Sequence, residues 1–394
     1  MPCLYATVQE LVRQTQQEFN GMSNNTRIDS ITLKPSEFKS ALLHCASVGR
    51  PLFVWGPPGI GKSQICKQAA LELEFDYFND VRLSQMDPTD LRGIPVPSTD
   101  EYGNAVARWS PPHFYKRDTM DGGKKAFYMF DEMNSAPQSI QAAAYQIVLD
   151  RRIGDFDLGP KDFVMAAGNR ETDKGATFKM PTPLMNRFVH VELRVDFEDW
   201  QTHALGAQFD RNVVGYLTFQ KKELFEFDPS SASRGFPTPR SWEFVSDLVK
   251  NDPNMPENVL VSLIAGAVGE GVAIKFVQYR KTAAQLPNPS DILSGKVKEL
   301  RSKEISVCYA LTTGLCYELK EAYEKAQREG NKDLKDWYVQ ADNFLGFMLD
   351  NFQPELCILG ARTALSIFRL PLNPMKLKNW DRFAERYMDL ILQA

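Results

Sequence analysis

The chain has 394 residues, of which 43% are hydrophobic and 24% charged, and a net charge of −4. This is the balance of a globular protein long enough for two or three domains, and it gives no sign of a strongly basic nucleic-acid surface. The longest apolar stretch, Val259 to Val268, is too short to span a bilayer. No basic region followed by an apolar core opens the chain, and the six cysteines show no C-x-x-C spacing. A cytoplasmic protein with reduced thiols, no secretion signal and no zinc site is expected.

In chain order, a first helix is predicted from Leu4 to Phe19, followed by turns at Asn20-Gly21 and Asn24-Asn25. Ser36 to Val48 reads as an amphipathic helix with Phe38, Leu42, Leu43 and Cys45 inward. From 51 to about 195, strand and helix patterns alternate, with strands predicted at 51–55, 75–82, 126–130, 163–167 and 189–193. Such alternation predicts a parallel sheet covered by helices on both faces. Helical patterns dominate from about 196 onward. Leu286 to Ser290 reads as a linker. Glu318 to Arg328 carries the stripe Leu319, Ala322, Tyr323, Ala326, and Asn379 is placed to cap a final helix.

The run GPPGIGKS, Gly56 to Ser63, fits the phosphate-cradling pattern G-x-x-x-x-G-K-[ST] at every fixed position. It follows the apolar run Leu52 to Trp55 and precedes the helix-like stretch Gln64 to Leu73. Strand, glycine loop and helix start together raise a pattern match to a site. Candidate nucleotide contacts are Gly56, Pro57, Pro58, Gly59, Ile60, Gly61, Lys62, Ser63 and Gln64. Lys62 would reach the β- and γ-phosphates, and Ser63 would ligate Mg²⁺. The strand Ala126 to Phe130 ends in Asp131-Glu132: Asp131 would hold Mg²⁺, and Glu132 would orient or deprotonate a water. Phe163 to Ala167 ends in Gly168-Asn169-Arg170, where the Asn169 amide could bond a γ-phosphate or that water.

With PLMNRF at 183–188 and PTPRSW at 237–242, the motif order resembles an AAA+ ATPase of the MoxR family. Two hairpin candidates, one between Asp87 and Pro112 with Tyr102 at its turn and one at 152–159 around Phe156, resemble its helix-2-insert branch. The resemblance covers roughly residues 33–275. Asn186 stands where family members commonly carry Asp. The resemblance implies a P-loop NTPase (AAA+) αβα sandwich with a parallel five-stranded sheet, a helical lid and a helical C-terminal extension. Expected boundaries are 1–32 for an N-terminal arm, 33–195 for the core, 196–289 for the lid and 290–394 for the extension. It further implies Asn169 as first sensor, Arg240 as second sensor, and Arg187 as the finger that completes a neighbouring subunit's site, with Arg170 a rival for that role. The implied protein is an Mg²⁺-dependent, ATP-hydrolysing ring, a hexamer, that remodels a separate protein partner carrying a von Willebrand factor A domain. Asp228-Pro-Ser-Ser-Ala232 departs from that domain's own metal motif by its final Ala. The alternative is an AAA+ nucleic-acid motor or restriction-type translocase. The acids beside Tyr102 and Phe156 weigh against a phosphate backbone as the partner.

Overall fold

The computed structural model describes residues 31–170, 173, 178–228, 234–251, 255–300, 305–331 and 333–392. The helix expected from Leu4 to Phe19 and most of the Asp228 to Ala232 string lie outside them. The first half alternates as its sequence pattern requires. β1 (Thr32–Leu33) and α1 (Pro35–Ser47) lead to β2 (Leu52–Trp55), α2 (Lys62–Glu72), β3 (Tyr77–Arg82) and a short α3 (Pro88–Arg92). The antiparallel hairpin of β4 (Ile94–Thr99) and β5 (Ala105–Ser110) follows, then β6 (Ala126–Asp131) and α4 (Gln138–Asp150). A two-residue hairpin, β7 (Arg152–Ile153) and β8 (Phe156–Asp157), precedes β9 (Phe163–Gly168), α5 (Thr182–Met185) and β10 (Val189–Leu193).

The main sheet has six strands in the order β1-β10-β2-β9-β6-β3, parallel throughout. The five-stranded expectation is corrected by β1, which lies on β10 with Thr32 opposite Glu192 and Leu33 opposite Leu193. Two residues carry no periodicity, so pattern reading finds no strand there and sets the boundary between arm and core inside it, after Thr32. The central strands are apolar throughout because helices cover both faces. Phe53, Tyr128, Phe130 and Ala166 pack with Ile140, Ala144 and Ile147 of α4 on one face. Val54, Phe127, Met129 and Met165 pack with Phe38 and Leu42 of α1 and with Cys66 and Ala69 of α2 on the other. β2 lies between β9 and β10, and its following strand, β3, is at the far edge. Such a reversal opens a crevice at the carboxyl ends of the strands.

Beyond β10, α6 (Phe197–Gly206), α7 (Arg211–Phe219), α8 (Pro239–Asn251), α9 (Glu257–Val268) and α10 (Glu270–Ala283) share a core around Trp200, Leu217, Trp242, Ile264 and Phe276. A further core, around Leu315, Trp337, Phe344, Met348 and Phe383, joins α11 (Pro289–Leu293), α12 (Ile305–Arg328), α13 (Lys335–Asn351), α14 (Pro354–Arg362) and α15 (Trp380–Leu392). The expected linker ends in a helix start: the Asn288 side chain caps α11 by accepting from the Ser290 N–H at 3.1 Å. α12 also packs on α7. The Tyr309 and Phe219 rings are 5.7 Å apart, and the Tyr317 hydroxyl donates to the Phe209 carbonyl at 3.3 Å. No helix among the described residues is long and apolar enough to cross a membrane.

Candidate nucleotide site

β2 stops where Gly56-Pro57-Pro58 begins, because proline has no N–H to continue a ladder. Gly59 and Gly61 then take φ of +77° and +94°, a left-handed backbone open to glycine and costly for other residues. Among the described residues, the N–H groups of Gly59, Ile60 and Gly61 have no backbone acceptor. α2 starts at Lys62 with no side-chain cap, so its first N–H groups are open too. The loop and helix start thus form a concave set of donors that suits a phosphate. Lys62 is 9% exposed. Its Nζ donates to the carbonyls of Gly56 at 2.5 Å and Pro57 at 3.0 Å, and to Asn169 Oδ1 at 3.4 Å. Burial pulls its ammonium down to about 8, against the opposing fields of Asp131 and Asp173 and with help from Arg240 and Arg170.

The acids at the end of β6 face this loop. Ser63 Oγ donates to Asp131 Oδ2 at 3.3 Å. This hydroxyl–carboxylate pair supplies the hard oxygens that suit Mg²⁺, an ion that commonly takes one or two carboxylates plus substrate phosphates. Among the described residues no cluster of three or more His, Cys, Asp or Glu could enclose a metal unaided, so the fit depends on phosphate oxygens. Asp131 Oδ1 also accepts from the Glu132 N–H at 2.8 Å. Glu132 has a φ of +56°, which turns its side chain off the strand line. Its Oε2 accepts from the Ser84 hydroxyl. On the neighbouring β3, Asp80 is raised by burial and by the charge of Asp131, with Arg82 opposing.

Asn169 follows β9 and meets the turn after Glu132. Its N–H donates to Asn134 Oδ1 at 3.1 Å, and its carbonyl accepts from Asn134 Nδ2 at 2.7 Å. The next residue, Arg170, is held within the chain by Asp173 at 3.1 Å and Glu192 at 2.7 Å. Arg187, by contrast, is exposed between α5 and β10. It has no ion-pair partner among the described residues, and its backbone N–H donates to Leu184 at 3.1 Å. Arg240 is the second residue of α8 and is exposed. Its N–H donates to the Gly59 carbonyl at 3.1 Å, so the start of α8 rests on the glycine loop. A Cβ on Gly59 would lie 2.9 Å from Thr238 Oγ1, a second reason for glycine there. Lys62, Ser63, Asp131, Glu132, Asn169 and the start of α8 therefore converge, while Arg187 stays outside the contacts of its own chain's site.

Beside the loop lies a cavity of about 300 Å³ lined by Pro35, Lys39, Ile60, Gln64, Trp200 and His203, among others. Gln64 Nε2 and His203 Nε2 are 3.5 Å apart. The Trp200 indole N–H is buried with no partner among the described residues. Such a pocket next to a phosphate cradle has the shape and polarity for a nucleobase. Sequence reasoning left it unassigned because its walls come from α1, α2 and α6, far apart in the chain. It also missed Ser84 and Asn134, whose signal is contact with the motifs and not spacing.

The AAA domain family (dynein-related subfamily) matches residues 51–188. Those residues are an AAA+ ATPase domain. Its fold is that of the P-loop AAA+ proteins, its enzymatic class is ATP hydrolysis, and a helical C-terminal region follows it. Among solved structures, the Thermotoga maritima RuvB Holliday junction branch migration motor is similar at 14% identity, over 64% of this chain and 74% of its own, with a TM-score of 0.33. A Cytophaga hutchinsonii protein assigned as an ATPase is similar at 15% identity, over 92% and 90%, with a TM-score of 0.31. NtrX from Brucella abortus is similar at 13%, over 92% and 75%, with a TM-score of 0.34. Overlaps this loose say nothing about what the AAA+ domain of this chain acts on.

Proposed function

We propose that the chain is a MoxR-type ATPase that assembles into a ring, a hexamer, and remodels a protein partner in the cytoplasm. Residues 33–195 act as the core, 196–289 as the lid and 290–394 as an extension. Gly56 to Gln64 hold the ATP phosphates, with Lys62 as their charge partner. Ser63 and Asp131 hold Mg²⁺, which when bound neutralises phosphate charge. A water oxygen bonds to the γ-phosphorus as the bridge to the β-phosphate breaks, and Glu132 takes the proton. Asn169 orients that water or the γ-phosphate, and Arg240 reaches the phosphates from α8. Arg187 enters the neighbouring subunit's site, a role supported by its exposure and its lack of an ion-pair partner among the described residues. Arg170 suits that role less, because Asp173 and Glu192 engage it within the chain.

The observation that carries the choice of a protein over DNA is the β4–β5 hairpin. Tyr102 at its tip is 88% exposed. Asp100 closes the turn, accepting from the Tyr102 N–H at 2.9 Å and the Asn104 N–H at 2.7 Å. The Asn104 amide and these N–H groups hold its carboxyl below the usual range, so it is ionised beside the tyrosine. An aromatic tip flanked by Asp100 and Glu101 suits a polypeptide and repels a phosphate backbone. The second expected aromatic tip is corrected: the Phe156 ring packs 5.4 Å from Tyr115 and under the Arg117 guanidinium, and is not free to grip. The test compares steady-state ATP hydrolysis with DNA and with a von Willebrand factor A domain protein from the same source. Stimulation by the protein and loss of that stimulation in Tyr102→Ala are expected. Strong, salt-sensitive stimulation by DNA would replace the proposal with the nucleic-acid motor.

A further inference from the structure

We infer that Asn134 is a positioning residue that fastens Glu132 and Asn169 into one unit aimed at the attacking water. The inference rests on the roles proposed for those two residues. Asn134 lies two residues after Glu132, in the turn Met133–Ser135, and is 2% exposed. Its amide spans the gap to the end of β9. Nδ2 donates to the Asn169 carbonyl at 2.7 Å, and Oδ1 accepts from the Asn169 N–H at 3.1 Å. Its own carbonyl accepts from the Phe178 N–H at 2.6 Å. This is the pairing one strand residue makes with another, supplied by a side chain.

The pairing demands an amide. A carboxylate would set oxygen against the Asn169 carbonyl, and an apolar side chain would strip both half-buried backbone groups of this partner. It also demands Gly168, where a Cβ would fall 2.5 Å from Asn134 Oδ1 and 2.9 Å from the Phe53 ring. The amide is neutral, so it fixes geometry without disturbing the charges of Lys62, Asp131 and Glu132. Through it, the backbone that carries the water-activating carboxylate and the backbone that carries the sensor amide cannot shift independently. Misplacement of a reacting group by an ångström can cost about 100-fold in rate.

The test uses the full-length chain and measures turnover, affinity for a non-hydrolysable ATP analogue, and melting temperature. Asn134→Ala and the isosteric Asn134→Asp should each lower kcat by about 10- to 100-fold, with analogue affinity changed less than about threefold. The melting temperature separates lost placement from lost folding: a variant that melts near the wild type and turns over slowly has lost placement alone. The double variant Asn134→Ala with Asn169→Ala should be slower than Asn169→Ala by less than the factor Asn134→Ala costs alone, because part of what Asn134 does is place the amide already removed. Wild-type kcat in the Asn134 variants, or full additivity in the pair, would overturn the inference while Glu132→Gln and Asn169→Ala remain impaired. Unimpaired Glu132→Gln and Asn169→Ala would overturn the site reading itself.

Discussion

The threonines buried in the C-terminal helical half of this chain and the polar side chains around the glycine loop in its sheet half bond in different ways. In the helices the buried threonines bond locally, while larger side chains such as Trp337, whose Nε1 donates to the Leu319 carbonyl at 3.0 Å, tie one helix to the next. Thr312, Thr313 and Thr363 return their hydroxyls to the carbonyls of Cys308, Tyr309 and Leu359, at 2.8, 3.1 and 2.8 Å, one turn back. In the sheet half the bonds cross between elements: Lys62 reaches Asn169, and Asn134 reaches the end of β9. At the opposite end of the same strands, Asp162 binds the Thr119 hydroxyl at 2.8 Å and the Ala126 N–H at 2.7 Å, again across elements. A local bond leaves the relative placement of elements alone, whereas a crossing bond fixes it. Chemistry gathers where crossing bonds meet unpaired donors, which occurs at the glycine loop and not at Asp162.

The largest effect that could break this contrast concerns a residue outside both kinds of bond. Arg187→Ala should bind ATP normally and hydrolyse it about 10³–10⁵-fold more slowly. Mixing it with Lys62→Ala subunits should restore part of the turnover, since one variant keeps the pocket and the other the finger. Mixed rings as inactive as each parent would place Arg187 outside the site.

Lys62 should show a smaller effect with a pH signature. Lys62→Ala should lose about 10- to 100-fold in ATP affinity, the value of a charge-assisted bond. The lysine's charged form pairs with phosphate, and burial holds its pKa at about 8, below the usual 10.5. ATP affinity in the wild type should therefore fall as pH rises above about 8, and binding above that pH should take up a proton. Calorimetry in buffers of different ionisation enthalpy reads both. The same depression means that keeping Lys62 charged costs the folded state stability below pH 8, and that this cost fades between about 8 and 10.5. Flat affinity across that range would show that the lysine is not the phosphate partner.

The smallest expected effect lies in the helical half. Thr312→Val should shift stability by no more than about 1 kcal/mol and leave kcat unchanged, because its bond is local. A large loss of turnover with an unchanged melting temperature would show that the helical half reaches the site.

These contrasts also explain what was legible in the sequence. GPPGIGKS, the Asp131-Glu132 strand end and Asn169 are contiguous signals on strongly apolar strands, and each stands where pattern reading puts it. Strand existence was equally legible, since β6 and β9 are buried along nearly their whole length. β1 was not, because two residues show no period. Ser84, Asn134 and the cavity under Trp200 were not, because their meaning lies in contacts between distant segments. Phe156 read as a free tip because a hairpin turn does not reveal that Tyr115 will cover it. Only the end of α12 was visible as a stripe. Its earlier turns pack on two sides and show no clean apolar face.

The central claim is that the strand-end acids act on water and not on the ground-state nucleotide. The most direct measurement compares Glu132→Gln with the wild type for ATP binding and steady-state hydrolysis. ATP affinity should be retained, and turnover should fall by about 10²–10⁴-fold, the usual contribution of a positioned base. Equal hydrolysis by the two proteins would contradict the assignment.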